Sequence, residues 1–567
     1  MPSAVTTVAV VEQGLISAYG DGVACCADGL LAGRSALARA GDALSLPLRE
    51  IPVGRVLGLG SGSGRLMRLL VRLFGAGFRL PSEAVIYAAT TVGEIDALEA
   101  EVRAGKTENP EVGRVSMLGA RVAELLGCPA TIGVTFSAAC ASSTAAVAMA
   151  ASAIRRGEVS CALVVGCDCI SEFTLSGFAA LMALDARGAR PFDADRKGVS
   201  LGEAAAYTLL MSGERAMQEG RAVHGYIHGW GMTCDANHLT GPSRDGIPLA
   251  DAIEQALAGS GMTADDVDAI CAHGTGTLYN DQMEMLAFQR VMKPRKTSLF
   301  SVKGGMGHTL GAAGLAEMLL SLEFLKRARI PATVGMTVAS PEVEGWASTG
   351  PQAIPQDGVM LTTNSGFGGV NAALVVGLVN RVSDGSGGYD RAQGHKDART
   401  QAPTRVVDGH AAFIPPKHFA RFSADAQRAV IALAERLPNE GLFLDAERSL
   451  RWNMEGSPVA RVGLLVWNRE GSLKVNRDYF TDYVTSGSVL GRGQLFAATL
   501  PTSVASEVAI AFRFLGPLMY VADQAGTDTA ARHVAVRCIA DGLAEVMILL
   551  DVGEADVKIV FMKEGCV

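Results

Sequence analysis

Apolar β-branched runs alternate with helix-like segments along much of the chain, and this alternation restricts the fold more than any other feature. Residues 5–14, 84–89 and 161–167 predict buried strands, and residues 24–32 and 112–126 predict helices. Strands that alternate with helices in this way are typical of layered α/β domains. The sequence therefore predicts an α/β fold.

Residues 134–151, VTFSAACASSTAAVAMAA, place Cys140 between a strand and a helix. The β-branched residues 131–135 predict a buried strand, and the Ala-rich run after Cys140 predicts a buried helix. At such a turn, a helix N-terminus would lower the pKa of the thiol, and its free backbone N–H groups could bind an oxyanion. On this stretch alone, Cys140 is either a nucleophile or a small buried hydrophobic side chain.

Composition sets broad limits on function. The 567 residues are 49% apolar and 19% charged, which is enough for several compact units. A net charge of −8 gives no basic surface for nucleic acid. The 11 cysteines form no CxxC pair, so a reducing cytoplasm is expected, and no segment has the apolar length of a membrane span. Cys167 and Cys169 alternate along an apolar strand, and no metal site is expected there.

A glycine-rich segment and an arginine-rich helix follow one another. Residues 58–64, GLGSGSG, lack the acidic partner of a dinucleotide loop, which favours a flexible connection. Arg65, Arg68 and Arg72 follow at near-helical spacing. They form either a solvated helix face or a docking patch for an acidic partner.

Two histidines in glycine-rich turns are further candidates for catalytic residues. His273 lies in HGTGT and His308 in GGMGH, with Lys303 and Glu317 on either side of His308. Phe367 lies between glycines that allow close backbone approach. Two such imidazoles, together with a cysteine at a helix start, favour covalent catalysis.

Five motifs in order resemble the β-ketoacyl-acyl-carrier-protein synthases of the elongating Cys-His-His type, members of the thiolase superfamily. They are SAACASS, RPFDADRKG, AHGTGTLYNDQME, SVKGGMGHTLGAAG and SGFGGVNA. The resemblance implies a thiolase-like layered αβαβα fold. Its two similar βαβ-rich halves would be residues 1–223 and 224–380. The polar, Gly-rich residues 381–405 are expected to be a linker.

The resemblance also assigns roles to residues. Cys140 would accept an acyl group from the phosphopantetheine arm of an acyl carrier protein. His273 and His308 would then drive decarboxylation of a malonyl thioester, and Lys303 and Glu317 would orient that pair. Two neutral imidazoles would supply the hydrogen bonds that an enolate oxygen needs.

Further roles surround the nucleophile. The backbone N–H groups of Cys140 and Phe367 would form an oxyanion hole, and Phe367 would gate the acyl pocket. Thr275 and Thr277 would bind the pantetheine arm. The predicted docking surface for the carrier protein consists of Arg65, Arg68 and Arg72. No permanently bound cofactor and no metal is implied, and a homodimer or a heterodimer with a related subunit is expected.

Two departures concern the acyl pocket. Ser365 replaces the first Phe of the NSFGFGG pattern, and Ala204 replaces the second Gly of GEG. Neither change removes a catalytic group. Ser365 is therefore a candidate substrate-binding residue in an altered acyl pocket.

Residues 406–567 resemble the first half of a ketoacyl synthase again, as a degenerate, chain-length-factor-like half-thiolase α/β domain. The repeat places Cys140 opposite residues 524–526, where no cysteine occurs. Two interpretations stay open: a pseudo-domain that packs on or pairs with the catalytic unit, or a fused remnant without a specific role.

The expected function is decarboxylative Claisen condensation of an acyl thioester with malonyl-acyl-carrier-protein, in fatty-acid or polyketide-like biosynthesis. The alternative is a non-catalytic or decarboxylase-only chain-length-factor-like subunit of a synthase complex.

Overall fold

The computed structural model describes residues 6–381 and 419–564, apart from 42–43, 45–47, 61, 107–110, 130, 445–449, 453–460, 487–490 and 554–555. The linker expected at residues 381–405 lies outside the described residues, except for Arg381. None of the described helices combines the length and apolar character that a membrane span requires.

The strands and helices alternate as the sequence predicts. The strands are β1 Val8–Ser17, β2 Gly20–Asp21, β3 Ala38–Arg39, β4 Pro52–Val53, β5 Val85–Ala89, β6 Gly133–Ser137, β7 Cys161–Asp168, β8 Ala204–Ser212, β9 Gly225–Cys234, β10 Ala269–Cys271, β11 Ser298–Phe300, β12 Arg329–Ile330, β13 Gln352–Ala353, β14 Val359–Gly366, β15 Val370–Gly377, β16 Leu442–Leu444, β17 Leu450–Trp452, β18 Val462–Val466, β19 Leu518–Asp523, β20 Val546–Val552 and β21 Val557–Lys563. The helices are α1 Val23–Leu31, α2 Arg65–Phe74, α3 Ile95–Arg103, α4 Leu118–Leu125, α5 Ser142–Arg155, α6 Glu172–Ala180, α7 Gly213–Gln218, α8 Ile247–Ser260, α9 Leu278–Met292, α10 Lys303–Met306, α11 Ala313–Lys326, α12 Ala424–Arg436, α13 Leu473–Thr485, α14 Gly493–Ala497, α15 Ser503–Phe512 and α16 Thr529–Ala540.

One large mixed sheet organises the described residues. Its strand order is β11-β10-β14-β15-β9-β1-β8-β7-β5-β6-β19-β18-β20-β21, with β2 paired to β1. Helices α5 and α11 pack against each other between the two halves of this sheet, because α5 contacts β7 as well as β9, and α11 contacts β8 as well as β14. Helix α4 covers β5 and β6 from outside, and α8 covers β9 and β15. This is the expected layered, thiolase-like α/β fold.

The central helices explain the composition of their sequences. Every residue of α5 from Ser142 to Ile154 is buried, as is every residue of α11 from Ala313 to Leu322. A helix that is enclosed on all sides carries no polar face, which is why both sequences lack helical alternation of polar and apolar residues. Small residues such as Ala and Gly allow two such helices to lie side by side between sheets.

An extra C-terminal α/β region extends the sheet beyond β6. Strand β19 pairs antiparallel with β6, with Tyr520 opposite Ser137 and Asp523 opposite Val134. Side chains of both regions, Phe136 and Val521 among them, belong to one buried core. The C-terminal region therefore continues the same sheet and core.

The helix that the sequence predicts over residues 112–126 is shorter than expected. A 3-10 turn at Val115–Met117 precedes α4, which begins at Leu118. Gly113 has a φ of 78°, a left-handed conformation that a continuous helix does not contain.

Close backbone contact between α4 and β6 gives a stability prediction. A Cβ atom on Gly133 would lie 2.5 Å from the carbonyl carbon of Gly119. We expect Gly133→Ala to destabilise the fold by about 1–3 kcal/mol because backbone must move to make room. Thermal unfolding followed by fluorescence measures the effect. Gly77→Ala is the matched control, since a Cβ there meets nothing within 4 Å. Equal melting temperatures for the two variants would contradict the prediction.

Candidate active site

A sharp turn between β6 and α5 carries Cys140. Ala139, the residue before it, has a φ of 50°, which is uncommon for a residue with a side chain. The hydroxyl of Ser142 accepts a hydrogen bond of 2.9 Å from the backbone N–H of Ala138 and so closes the turn. Strained backbone of this kind is found where a functional group must be presented.

The loop after β14 approaches the thiol from the other side. The backbone N–H of Phe367 donates a hydrogen bond to Cys140. A Cβ atom on Gly366 would lie 2.9 Å from the backbone nitrogen of Cys140, so only glycine allows this approach. The backbone N–H groups of Cys140 and Phe367 are thus brought close to the sulfur.

Both predicted histidines lie beside the cysteine. His273 follows β10 and His308 follows α10, and their ring centroids are 5.1 Å apart with the rings nearly perpendicular. The Sγ atom of Cys140 and one ring nitrogen of each histidine all lie within 4.8 Å of one another. Three segments that are distant in the sequence therefore converge on one small volume.

Two buried groups fix His273. The backbone N–H of His273 donates to Glu284, and so does the N–H of Gly274, each at 2.7 Å. The Nδ2 group of Asn364 lies 3.4 Å from Nδ1 of His273. Because the amide nitrogen is a donor, Nδ1 is the acceptor, and the ring proton lies on Nε2.

A buried ion pair supports this arrangement. Lys303 Nζ lies 2.5 Å from Glu317 Oε1, and both side chains are 1% exposed. The amide of Asn364 donates to the other oxygen of Glu317 at 2.7 Å, and Thr144 donates to the amide oxygen of Asn364 at 2.6 Å. The chain of contacts runs from Lys303 through Glu317 and Asn364 to His273.

Burial keeps both imidazoles neutral. Desolvation, reinforced by the positive charge of Lys303, lowers the pKa of His273 and of His308 well below the usual value. Neither ring nitrogen of His308 has a hydrogen-bond partner among the described residues, although the residue is only 2% exposed. Both nitrogens of His308 are therefore available to a bound ligand.

The expectation of a lowered pKa for the thiol is wrong. Burial raises the pKa of Cys140 to about 12, and the opposing charge of Lys303 does not compensate. The helix terminus can be predicted from the sequence, whereas the loss of water around the sulfur depends on how the surrounding layers pack.

The C-terminal region reaches the predicted gate. The ring of Phe367 stacks on Phe178 of α6 with centroids 5.3 Å apart, and Phe496 of α14 meets Phe178 edge-on at 5.6 Å. A Cβ atom on Gly368 would lie 2.3 Å from the hydroxyl of Ser506 on α15. Side chains from two helices of the C-terminal region therefore pack around the gate loop.

The remaining predicted binding residues lie on loops next to these segments. The hydroxyls of Thr275 and Thr277 are 2.9 Å apart, on the turn between β10 and α9. Asp281 accepts the backbone N–H of Thr275 and holds that turn. Ser365, at the end of β14, donates to the side chain of Asn371 at 2.8 Å.

One of the three predicted docking arginines is not available to a partner, and this corrects the sequence prediction. Arg65 is 7% exposed and forms a two-pronged ion pair with the fully buried Glu203. Arg68 donates to carbonyls of the glycine-rich segment, such as that of Leu59. Arg72 contacts Asp21 and remains partly exposed.

Sequence reasoning missed three buried polar residues around the site. They are Asp168, Glu284 and Asn364. Asp168 accepts hydrogen bonds from the Thr90 hydroxyl and from the backbone N–H of Gly311, three residues after His308. Asp168 could have been identified from its position at the end of the apolar run CALVVGCD, because a buried carboxylate needs hydrogen-bond partners.

Known proteins with the same features place the chain in a family. The description "Beta-ketoacyl synthase, N-terminal domain" matches residues 29–216, and "Beta-ketoacyl synthase, C-terminal domain" matches residues 224–337, which together exceed half of the chain. The chain belongs to the β-ketoacyl synthase family. The 3-oxoacyl-acyl-carrier-protein synthase 2 of Rhizobium meliloti (strain 1021) is 33% identical over 250 residues, which are 42% of this chain and 59% of that synthase. The matches span about three fifths of such curated relatives.

Solved structures of ketosynthases share the fold. The ishigamide ketosynthase/chain length factor superposes with a TM-score of 0.61 and 27% identity, over 66% of this chain and all of that one. The PfaC keto synthase-chain length factor has a TM-score of 0.69 at 16% identity and covers 96% of this chain and 74% of its own. The second match therefore includes the C-terminal region, as a likeness of fold.

The raised thiol pKa gives a prediction for alkylation. We expect the rate of Cys140 modification by iodoacetamide to rise about tenfold per pH unit between about pH 7 and 9, because only the thiolate reacts and the pKa lies above this range. Peptide mass spectrometry of a Cys25→Ser protein measures the rate, because Cys25 is the exposed thiol among the described residues. A plateau near neutral pH would contradict the raised pKa.

Proposed function

We propose that this protein is a β-ketoacyl-acyl-carrier-protein synthase that performs decarboxylative Claisen condensation of an acyl thioester with malonyl-acyl-carrier-protein. The observation that carries the proposal is the convergence of Cys140, His273 and His308, with one ligand atom of each within 4.8 Å of the others. A chain-length-factor-like subunit without catalysis has no chemical need for this cluster.

The first step is transfer of an acyl group to the cysteine. The sulfur of Cys140 attacks the thioester carbonyl while a neighbouring neutral imidazole takes the thiol proton. The bond to the carrier sulfur then breaks, and the imidazolium returns the proton to the departing carrier thiolate, which restores the neutral ring. The backbone N–H groups of Cys140 and Phe367 stabilise the tetrahedral oxyanion. Because the free thiol holds its proton tightly, proton removal by a close base matters for this step.

The second step is decarboxylation and carbon–carbon bond formation. The malonyl C–C bond breaks, CO₂ leaves, and the electron pair forms an enolate whose oxygen accepts hydrogen bonds from His273 Nε2–H and from His308. The enolate carbon attacks the acyl-Cys140 carbonyl, and the departing sulfur becomes a thiolate again. Neutral imidazoles suit this role because they donate without bringing a full charge into a dry site.

The acyl carrier protein is the proposed partner and source of both substrates. Thr275 and Thr277 would hydrogen-bond the pantetheine arm on its way to Cys140. Arg68 and Arg72 stay candidates for contact with the acidic carrier, whereas the buried Arg65 stabilises the helix from within. The altered gate sequence at Ser365 suits an acyl group that differs from that of fatty-acid synthases.

Removal of the sulfur separates the two steps. We expect Cys140→Ala to lose all condensation of acyl- and malonyl-carrier protein, while malonyl decarboxylation partly remains because the two histidines are unchanged. Product analysis by mass spectrometry checks this. Loss of both activities with the fold intact would contradict the division of labour. Acetyl-carrier protein as the only product of the unmodified protein would instead support a decarboxylase-only subunit.

Asn364 tests the proton position on His273. We expect Asn364→Ala to lower the kcat of decarboxylation about 10- to 100-fold with little change in KM, because the proton of His273 is no longer held on Nε2. The matched control is Asn371→Ala, which removes another buried amide of the β14–β15 strand pair, one with no hydrogen bond to either histidine among the described residues. Equal losses in the two variants would contradict a specific role for Asn364.

A further inference from the structure

The C-terminal region repeats the strand pairing of the region around the nucleophile. In the sheet, β18 lies between β19 and β20 and is parallel to both, as β5 lies between β6 and β7. Strand β21 then pairs antiparallel with β20, as β8 pairs with β7. The positions of the helices agree, since α13 follows β18 as α3 follows β5, and α16 follows β19 as α5 follows β6.

Equivalent elements of the two regions face each other across the interface around the β6–β19 strand pair, which we call the joint. Strand β6 pairs with its counterpart β19, α3 packs against its counterpart α13, and α5 packs against its counterpart α16. Side chains mark each helix contact: Arg477 reaches Glu101 at 3.4 Å, and the sulfur of Cys538 lies 3.9 Å from that of Met149. Contact of each element with its own counterpart is the signature of a two-fold, isologous interface.

We propose that the C-terminal region occupies, within one chain, the surface through which a second copy would pair, so that the protein holds one active site per molecule and does not dimerise through β6. The edge of β6 has its hydrogen bonds to β19 and has none left for another strand. An internal, pseudo-symmetric pair would then take the place of the homodimer or the heterodimer with a related subunit that the sequence suggests.

The joint has the character of a permanent interface. Its centre is apolar and continuous with the main core, as the shared cluster of Phe136 and Val521 shows. Around it lie charged contacts: Arg537 pairs with Glu158 at 2.7 Å and donates to the hydroxyl of Tyr87 at 3.2 Å. Arg114 pairs with Glu470 at 2.8 Å on the opposite side of the strand pair.

The joint also extends to the surroundings of the active site. Two tyrosines of α13 contact α6, the helix that carries Phe178. The hydroxyls of Tyr479 and Ser176 are 2.9 Å apart, and the hydroxyl of Tyr483 donates to Glu172 at 2.8 Å. A separate copy bound elsewhere would not supply these contacts. The C-terminal region therefore also contributes to the packing around Phe367.

Native mass spectrometry together with hydrogen–deuterium exchange tests the proposal without any assay of catalysis. We expect one species near 58.9 kDa, and protection of residues 133–137 that does not change over about a hundredfold dilution. A dimer whose dilution exposes residues 133–137 would overturn the proposal. Neither measurement depends on turnover. A failed condensation assay would therefore contradict the proposed function without changing the outcome of this test.

Two arginines on the same helix give a matched pair of variants. Arg537→Ala removes contacts across the joint, whereas Arg532→Ala removes contacts within the C-terminal region, to Asp528 just before α16 and to Met562 of β21. We expect exchange in both β6 and β19 to rise several-fold in Arg537→Ala and to stay unchanged in Arg532→Ala, with β20 and β21 protected in both. Unchanged exchange of β6 in Arg537→Ala, or an equal rise in the two variants, would overturn the proposal.

Discussion

The ion pair between Lys303 and Glu317 is the interaction on which the site depends. Both side chains are almost fully buried, and a buried charge is tolerated only where a partner neutralises it. Glu317 uses its second oxygen to hold Asn364, and Asn364 in turn faces His273. One charged pair thus supplies a positive potential near the thiol and also fixes the orientation of an imidazole from a different loop.

Loss of water shapes the chemistry of all three reactive groups. Burial lowers the pKa of both histidines and raises that of Cys140, so the resting site holds a thiol and two neutral rings. The three reactive groups are therefore all uncharged. In the proposed reaction, charge develops at the oxyanion and the enolate, next to the N–H groups proposed to stabilise it.

Local patterns were sufficient to predict the layered fold and the residues of the catalytic cluster, because each lies in a short motif at the end of a strand or helix. Properties that depend on packing could not be predicted from local sequence patterns. Helical spacing places Arg65 and Arg72 near one another but does not show that Glu203, 138 residues away, buries the first. The pKa of Cys140 depends on how much water the surrounding layers remove. Asn364 directly precedes the SGFGGVNA motif, yet only the structure shows its link to His273.

The pairing of β6 with β19 has no local signal either, since an antiparallel pair between distant strands is specified by shape and register. Its effect on the site follows from chain order. Strand β6 leads directly into the Cys140 turn, and the helices that follow β18 reach Phe178 and the Phe367 loop. The C-terminal region therefore adjoins the Cys140 turn through β6 and packs beside the Phe367 loop through its helices. A region in that position would limit the space for the proposed acyl substrate without contributing a reacting atom.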